Sequence, residues 1–283
     1  MKTRPNVDPP PRAAALSLRA SDPRLADFPA SEALPVLMDE HGGQLYRLSL
    51  DLCGHPEDAE DLVQEIFLIA LRKWDRFRGD AKPTTWLYTI AVRACRRRRR
   101  RRAGEPRTVE SLTALLPSPD DPIPDVAALE GPLDQQLRKE ARDAVEQAIA
   151  RLPWTYRMPL VLKEIVELSI ADVGAILNLE RGTVKTRVHR ARLRLRRELS
   201  RTLPQKGAPP QDHARKLCLD LLEAKQGALD RGVPFRVSED VLCERCRAMF
   251  GTLDLTREVC RLLGRGEMPP GLRSMLEKRF RGG

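Results

Sequence analysis

Apolar side chains recur at helical intervals in this chain, and the clearest pattern lies between Leu152 and Leu199. It consists of a supporting helix followed by a pair of helices. The apolar positions of the last helix follow one another at steps of four, three, four and four residues: Val184, Val188, Ala191, Leu195 and Leu199. Such steps place the side chains on one buried stripe. The pattern therefore predicts a helix-turn-helix.

Local signals mark both ends of the first helix of this pair. Ser169 with Asp172 three residues later forms a capping box that starts the helix. Asn178 follows the helix, and asparagine tolerates the left-handed backbone that ends helices. Gly174 lies inside the helix, where glycine costs about 1 kcal/mol relative to alanine. We therefore expect the second helix to approach closely at Gly174.

The second helix carries cationic and hydroxyl side chains away from its apolar stripe. Arginine and lysine reach guanine edges or phosphates, and threonine does either, so this face suits the major groove of DNA. An ordinary amphipathic helix pair is the alternative, and the motif alone does not distinguish an activator, a repressor or a polymerase subunit. The candidate DNA contacts are Arg181, Thr183, Lys185, Thr186, Arg187, His189 and Arg190.

Composition restricts the environment and the partners. The formal net charge of the 283 residues is +10, which favours an anionic partner. There is no run of about 18 apolar residues, and Pro9, Pro10 and Pro11 interrupt any N-terminal signal core. We therefore expect a cytosolic protein, in which structural disulfides among the six cysteines are not favoured.

The chain is expected to be all-α. Two small helical domains are joined by a Pro-rich linker, and a small helical domain with cysteines follows. The predicted boundaries are a flexible leader over 1–30, a first domain over 31–102, a linker over 103–132, a helix-turn-helix domain over 133–203, a second linker over 204–212 and a cysteine-bearing domain over 213–283.

The helix predicted over 55–74 has an acidic face and an apolar face. Asp61, Gln64 and Glu65 lie on the acidic face, and the acidic first turn suits the positive end of the helix dipole. A solvated acidic surface is the alternative explanation for this face. The predicted apolar face consists of Ala59, Leu62, Val63, Ile66, Ile69 and Ala70.

A short loop over 79–83 leads into a helix that ends with eight arginines among residues 93–102. Eight cations exceed what a helix C-terminus requires. An arginine cluster beside aromatic and hydroxyl side chains fits binding of separated DNA strands through phosphate attraction and base contacts. A nonspecific nucleic-acid tail is the alternative. The aromatic and hydroxyl residues are Thr84, Thr85, Trp86 and Tyr88.

Together these motifs resemble domains two and four of the extracytoplasmic-function (ECF) group of bacterial RNA polymerase sigma factors. The first domain carries AEDLVQEIF and RFRGDAKPTTWLYTIA, and the second carries LP-x3-R followed by ERGTVKTRVHRARLRL. Their order, their spacing and the Pro-rich linker also match. The resemblance implies that the protein is not an enzyme and that it brings core RNA polymerase to promoter DNA.

The resemblance also implies roles for particular residues. Domain four would read the −35 element as duplex through the DNA contacts named above, and domain two would hold the −10 element as a single strand. Asp61, Gln64 and Glu65 would dock on the clamp of the large polymerase subunit. The group usually has Arg-Asn after TIA, where this chain has Val92-Arg93, so its −10 preference is not carried over. The −10 candidates are Arg78, Gly79, Asp80, Lys82, Trp86, Arg93, Arg96 and Arg97.

The region after residue 203 contains four of the six cysteines. The two-residue spacing of Cys243 and Cys246 lets two thiolates meet one metal ion. A redox dithiol and buried thiols are the alternatives. The layout of Cys218, Cys243 and Cys246 resembles the zinc-binding anti-sigma domain, which implies a zinc site with these ligands.

That domain has a histidine four residues before its CxxC, where this chain has Glu239. The candidates for the fourth ligand are therefore Glu239, His213 and Cys260. The departure leaves copper(I), or no metal, as alternatives to zinc.

The sequence thus predicts an ECF sigma factor with a metal- or redox-sensing regulatory domain in cis. A separate anti-sigma factor is left open, and no membrane partner is expected. Two other functions are considered. One is a helix-turn-helix regulator that binds operators as a dimer, and the other is a decoy that binds polymerase without opening promoters. A hydrolase or nuclease is not favoured, because no motif places a nucleophile beside a base.

Overall fold

The computed structural model describes residues 18–100, 115–116, 122–125, 134–207, 214–238 and 241–281. These residues are mostly helical, which confirms the all-α prediction. An antiparallel pair of short strands joins β1 (Ile123–Pro124) to β2 (Gln205–Lys206). The α-helices are α1 (Ala30–Cys53), α2 (Pro56–Lys73), α3 (Pro83–Arg100), α4 (Asp134–Arg151), α5 (Trp154–Leu160), α6 (Ile170–Leu177), α7 (Arg181–Thr202), α8 (Arg215–Arg231), α9 (Glu244–Leu263) and α10 (Pro270–Arg281).

The chain divides into two compact units. The first unit contains Met1–Ala103 and Gly264–Gly283, together with Ala175–Leu177. The second unit contains Gly104–Gly174 and Asn178–Leu263. The cysteine-bearing region predicted as one domain is divided between them, because α8 and α9 belong to the second unit and α10 to the first. Among the described residues, no helix has both the length and the apolar composition that crossing a bilayer requires.

In the first unit, α1, α2 and α3 pack against one another and α10 packs on α1 and α2. The prediction for the apolar face of α2 was wrong at two positions. Ile69 is only half-buried, whereas Phe67 is fully buried. The reason is a partner distant in sequence: the ring of Phe280 in α10 lies 5.9 Å from that of Phe67, centroid to centroid. The α10 helix presents a stripe of its own at four-residue intervals, made of Leu272, Leu276 and Phe280, all buried.

Part of the predicted leader is folded into the first unit. Leu25 and Phe28 are buried, and the indole Nε1 of Trp74 donates a 2.8 Å hydrogen bond to the carbonyl of Phe28. The backbone amide of Ala20 donates to Glu40 at 3.0 Å. Residues 18–30 are therefore not a flexible leader, since apolar burial and these bonds hold them in place. The rest of the predicted leader, residues 1–17, and most of the two linkers lie outside the described residues.

In the second unit, α7 is the central helix. Its predicted stripe is confirmed, because Val184, Val188, Ala191, Leu195 and Leu199 are all fully buried. The α7 helix packs against α4, α5 and α9, and α5 continues into a π-helical turn, Val161–Ile165.

A second side of α7 is also buried. Leu193 is 1% exposed and belongs to a core that α8 and α9 contribute to. Arg192 and Arg196 are buried as well. The helix therefore has two covered faces, where the sequence predicted one.

The turn of the helix-turn-helix has the predicted caps. The hydroxyl of Ser169 accepts from the amide of Asp172 at 3.0 Å and donates to its carboxylate at 2.7 Å. Asn178 adopts the left-handed conformation, with φ of 54°. The reason for Gly174 differs from the prediction, because a Cβ there would lie 2.8 Å from the carbonyl oxygen of Leu179 and 3.9 Å from the side chain of Val184. The glycine thus accommodates the turn itself more than the second helix.

Removal of the Ser169 cap is expected to destabilise the second unit modestly. In Ser169→Ala the amide of Asp172 loses its acceptor, and the loss of such a cap costs about 1 kcal/mol. Urea unfolding followed by circular dichroism would measure the change. Ser200→Ala is the control, because the hydroxyl of Ser200 donates to the carbonyl of Arg196 within α7 and does not cap a helix. Equal midpoints for the two variants would contradict the prediction.

Candidate nucleic-acid interface

The seven predicted contacts all lie on α7 and differ in their exposure. Arg181, Lys185 and Thr186 are exposed. The hydroxyl of Thr186 donates to the carbonyl of Gly182 at 3.0 Å, within the helix. The remaining four are partly buried: Thr183, Arg187, His189 and Arg190. The first two turns of α7 thus present cations and a hydroxyl to solvent.

Farther along, α8 lies against this face of α7. The ring Nε2 of His189 is 2.9 Å from the Oδ2 atom of Asp230, which is in α8. Lys185 and His189 also line a cleft of about 700 Å³, and the opposite wall comes from α8 and the loop after it. Two exposed carboxylates on that wall, Asp220 and Glu223, face the same cleft. One of the predicted DNA contacts is therefore already paired with an acidic side chain.

Arg192 is the centre of a buried network of charges. Its guanidinium donates to Glu164 Oε1 at 2.5 Å, to Asp230 Oδ1 at 2.8 Å and to Gln226 Oε1 at 2.9 Å. The three charged side chains are each 4% exposed. Burial raises the pKa of the Asp230 carboxyl, but the hydrogen bond from His189 and the charge of Arg192 outweigh it and hold that pKa below its usual value. Sequence reasoning missed this network, because an arginine in a basic helix resembles its exposed neighbours.

The arginine-rich end of α3 has one exposed face. Arg93, Arg96 and Arg97 are all exposed, and Arg97 pairs with Glu65 of α2 at 2.7 Å. Arg98, the next arginine, turns toward α2 and lies 3.7 Å from the carboxylate of Asp61. The cluster is therefore partly an exposed basic surface and partly a contact between α3 and α2.

The aromatic side chains before this face are less available than the sequence suggested. Trp86 is half-buried, and its ring packs against those of Trp74 and Phe77 at centroid distances of 5.5 and 5.1 Å. Tyr88 is fully buried, and its hydroxyl lies 3.2 Å from Gln44 Oε1. The expectation that Thr84, Thr85 and Tyr88 contact DNA was wrong, since all three are buried in the unit.

The loop before α3 presents the other −10 candidates. Arg78, Asp80 and Lys82 are exposed, and Gly79 has φ of 75°, which favours glycine. The Cβ of Ala26 would lie 3.5 Å from a Cβ at Gly79. The chain therefore turns at Gly79, and the residues before and after it, Arg78 and Asp80, have exposed charged side chains.

The three candidate polymerase contacts lie on α2, the helix predicted over 55–74. Asp61 is largely exposed, with 68% of its side chain accessible. Gln64 is partly buried, and its amide nitrogen lies 3.3 Å from the sulfur of Met275 in α10, 211 positions away in the chain. Glu65 is the partner of Arg97. The acidic face is therefore open at Asp61 and covered at Gln64.

The helix α10 is held on α1 and α2 by apolar and charged contacts. Its buried stripe includes Leu276, which is 0% exposed, and Phe280, which is 1% exposed. Arg273 forms an ion pair with Asp39 of α1. The segment before α10 also lies close to α1, because a Cβ atom at Gly43 of α1 would clash with the carbonyl oxygen of Gly266.

Three cysteines of the second unit form a cluster, called here the cysteine cluster: Cys218, Cys243 and Cys246. Their sulfur atoms all lie within 4.8 Å of one another. Burial raises the pKa of the Cys246 thiol, and its hydrogen bonds with Cys243 and Cys218 raise it further. The candidate Cys260 is not part of the cluster, and the candidates His213 and Glu239 lie outside the described residues.

The cysteine cluster shares a core with α7. Cys243, Cys246 and Leu193 belong to one group of buried apolar side chains, against which Cys218 packs. Leu115, from the predicted linker, is also in this core. The sulfur atoms therefore share a core with a side chain of the helix that carries the candidate DNA contacts.

Comparisons with known proteins agree with this arrangement. Sigma-70 region 2 matches residues 37–105, and sigma-70 region 4 matches residues 142–195. The chain is 34% identical over 174 residues to the ECF RNA polymerase sigma factor SigW of Bacillus subtilis, a match that covers 59% of this chain and 89% of the relative. It is 36% identical over 167 residues to SigM of Mycobacterium tuberculosis, covering 59% and 77%. It is 34% identical over 137 residues to the sigma-E factor of Escherichia coli, covering 48% and 70%. The chain belongs to the ECF group of bacterial RNA polymerase sigma factors.

Proposed function

We propose that this chain is a sigma factor whose C-terminal segment, residues 214–281, regulates its promoter activity in cis through the cysteine cluster. As a member of its family it is not an enzyme, and it acts with core RNA polymerase at promoter DNA. The regulation in cis is the part that goes beyond the family. It rests on one observation, which is that Cys243 and Cys246 share a core with Leu193 of α7.

The assignment of DNA contacts follows exposure and charge. Arg181, Lys185 and Thr186 are accessible at the start of α7 and would reach base edges and phosphates of the −35 element. Arg93 and Arg96 on α3 would attract the phosphates of the −10 strand. The loop residues Arg78, Gly79, Asp80 and Lys82 and the ring of Trp86 would complete that second site.

The assignment of polymerase contacts places Asp61, Gln64 and Glu65 on the docking surface of α2. In the described structure α10 reaches Gln64 through Met275. Docking of polymerase on the whole surface therefore requires α10 to move. The same C-terminal segment thus covers part of the DNA-reading helix through α8 and part of the docking surface through α10.

The cysteine cluster has the donor atoms that a thiophilic ion requires. Zinc takes thiolates at about 2.3 Å, and tetrahedral ligands at that distance stand about 3.8 Å apart. Sulfur atoms within 4.8 Å of one another are close to this spacing. With zinc bound, Cys218 of α8 and Cys246 of α9 would tie the two helices together. Copper(I) suits the same thiolates, and the cluster without metal remains the third alternative.

Oxidation of the cysteine cluster is a second way to alter the core that contains Leu193. Cys243 and Cys246 would form a disulfide when their two thiols give two electrons and two protons to hydrogen peroxide, which is reduced to two molecules of water. Two of the three thiolates would then be lost to any metal. Either route alters the core that holds Leu193.

The test compares Cys246→Ser with Cys260→Ser, because both residues are buried and both lie on α9. We expect gently purified wild type and Cys260→Ser to retain about one metal ion per chain and Cys246→Ser to retain none. Run-off transcription with core polymerase, with and without a chelator or peroxide, should respond in the first two proteins only. Identical transcription by wild type, Cys243→Ser/Cys246→Ser and a chain truncated near residue 204, under all conditions, would end the proposal of regulation in cis.

A further inference from the structure

The side of α8 that faces α7 carries a row of carboxylates. Asp220, Glu223 and Asp230 are separated by three and seven residues, and these steps place them on one face of a helix. All three line the cleft whose other wall contains Lys185 and His189 of α7. Acidic side chains of α8 and basic side chains of α7 thus face each other across one opening.

One of these carboxylates makes contacts of the kind that a DNA phosphate makes. Asp230 receives His189 Nε2 at 2.9 Å on one oxygen and Arg192 Nη1 at 2.8 Å on the other. Phosphate groups of DNA are bound in a similar way, by basic side chains that donate to anionic oxygens. The side chain of Asp230 is 4% exposed and that of His189 is 25% exposed, so this pair is a more buried part of the cleft lining than Lys185, which is exposed.

From this geometry we infer that α8 is an intramolecular substitute for the DNA backbone. Asp230 binds His189 and Arg192 of α7, and Asp220 and Glu223 line the same cleft as Lys185. Duplex DNA must therefore displace Asp230 to engage His189. The inference rests on the proposed function, in which α7 reads the −35 element. It adds a mechanism: competition for DNA comes from charge on α8 and does not need a metal.

Asp254 provides a matched control. It pairs with Lys225 through a 2.6 Å ion pair, but it lies on α9 and does not line the cleft of α7. Asp230→Asn and Asp254→Asn change the net charge of the full-length chain equally. A difference between them therefore reports the position of the carboxylate and not the total charge.

The experiment measures binding of the full-length variants to a fluorescent 30-base-pair duplex of unselected sequence by anisotropy, over a range of KCl concentrations. Asp230→Asn is expected to bind on the order of tenfold more tightly than wild type, the effect of about one charge-assisted contact. Its plot of log affinity against log salt should be steeper by about 0.9, the effect of one more neutralised phosphate. Asp254→Asn should differ from wild type in neither respect. Equal affinity and slope for the two variants would overturn the inference.

Two further variants distinguish failure of this inference from failure of the proposed role of α7 in DNA binding. Asp220→Asn/Glu223→Gln removes the two exposed carboxylates of the cleft and leaves Asp230 in place. It should therefore also strengthen binding, even if Asp230→Asn unfolds. Adding Lys185→Ala to Asp230→Asn should weaken binding again. If it does not, the duplex is bound elsewhere, and the assignment of α7 as the DNA-reading helix fails together with the inference. Lys185→Ala could instead weaken binding while Asp220→Asn/Glu223→Gln and Asp230→Asn both bind the duplex with wild-type affinity. In that case only the inference that α8 substitutes for the DNA backbone fails.

Discussion

Replacing Leu276 and Phe280 with aspartate is expected to raise the affinity of the full-length chain for core RNA polymerase by on the order of tenfold. Both side chains are buried where α10 packs on α1 and α2, and burial of one such side chain contributes about 1.5–3 kcal/mol. Two charges on this stripe would make docking of α10 unfavourable. Release of α10 exposes Gln64 and Phe67, so polymerase no longer has to displace a helix from α2.

The measurement is equilibrium binding of labelled core polymerase to the double variant and to a control with the same change of charge. Gly271→Asp/Ser274→Asp is suitable, because both positions are exposed on the outer side of α10. The control is expected to bind as wild type does. Circular dichroism on all three proteins verifies that the first unit is folded, and Phe280→Ala serves as a milder variant. An affinity of the double variant equal to that of the control would show that α10 does not restrict docking.

The expectation depends on α10 being a competitor and not a part of the docking surface. In the second case the double variant would bind polymerase less tightly than wild type. The sign of the change therefore distinguishes the two roles of the same helix.

Local chemistry explains what could be predicted from the sequence. The stripe of α7, the Ser169 cap and the left-handed Asn178 depend on neighbours within a few residues, and all three agree with the structure. The acidic face of α2 is likewise visible in one helical wheel. Motifs of this range are also the ones that carry the resemblance to sigma factors.

Contacts between distant parts of the chain explain most of the features that could not be predicted from the sequence. Phe67 is buried by Phe280, and Leu193 by a core that α8 and α9 contribute to. Neither partner is indicated by periodicity, since each helix alone shows only that a position is apolar. The burial of Arg192 is harder still, because its partners Glu164 and Asp230 lie on two other elements.

Helical spacing alone could have corrected two of the predictions, those for the hydroxyl residues of α3 and for Cys260. Thr84 and Tyr88 are four residues apart in α3 and share a face with the apolar Leu87 and Ala91, so helical spacing predicts their burial. Cys260 follows Cys246 by fourteen positions on one helix, which is about 21 Å along the axis. A straight helix therefore excludes Cys260 from the site that Cys246 belongs to.

The substitution Arg192→Ala is expected to lower the free energy of unfolding of the second unit by about 3–5 kcal/mol, the usual effect of removing one partner of a buried ion pair. Glu164 and Asp230 would remain buried at 4% exposure without the guanidinium that now binds both. His189 would still reach Asp230 at 2.9 Å, whereas Arg257 lies farther from Glu164, with its Nε 3.8 Å from the carboxylate. The charge at Glu164 would thus be the less well compensated of the two.

Urea unfolding of the full-length chain measures this change, and Arg201→Ala on the same helix is the control. Arg201 pairs with Glu198 at 3.0 Å but is 65% exposed, and such surface pairs contribute about 0–1 kcal/mol. A triple variant, Glu164→Gln/Arg192→Met/Asp230→Asn, should recover part of the lost stability, because it removes the buried charges together with their partner. If Arg192→Ala and Arg201→Ala unfold at the same urea concentration, Glu164 and Asp230 must reach water or other cations once the guanidinium is gone. The network would then hold α8 against α7 without contributing to the stability of the unit, and Asp230 would be displaced by DNA at little cost.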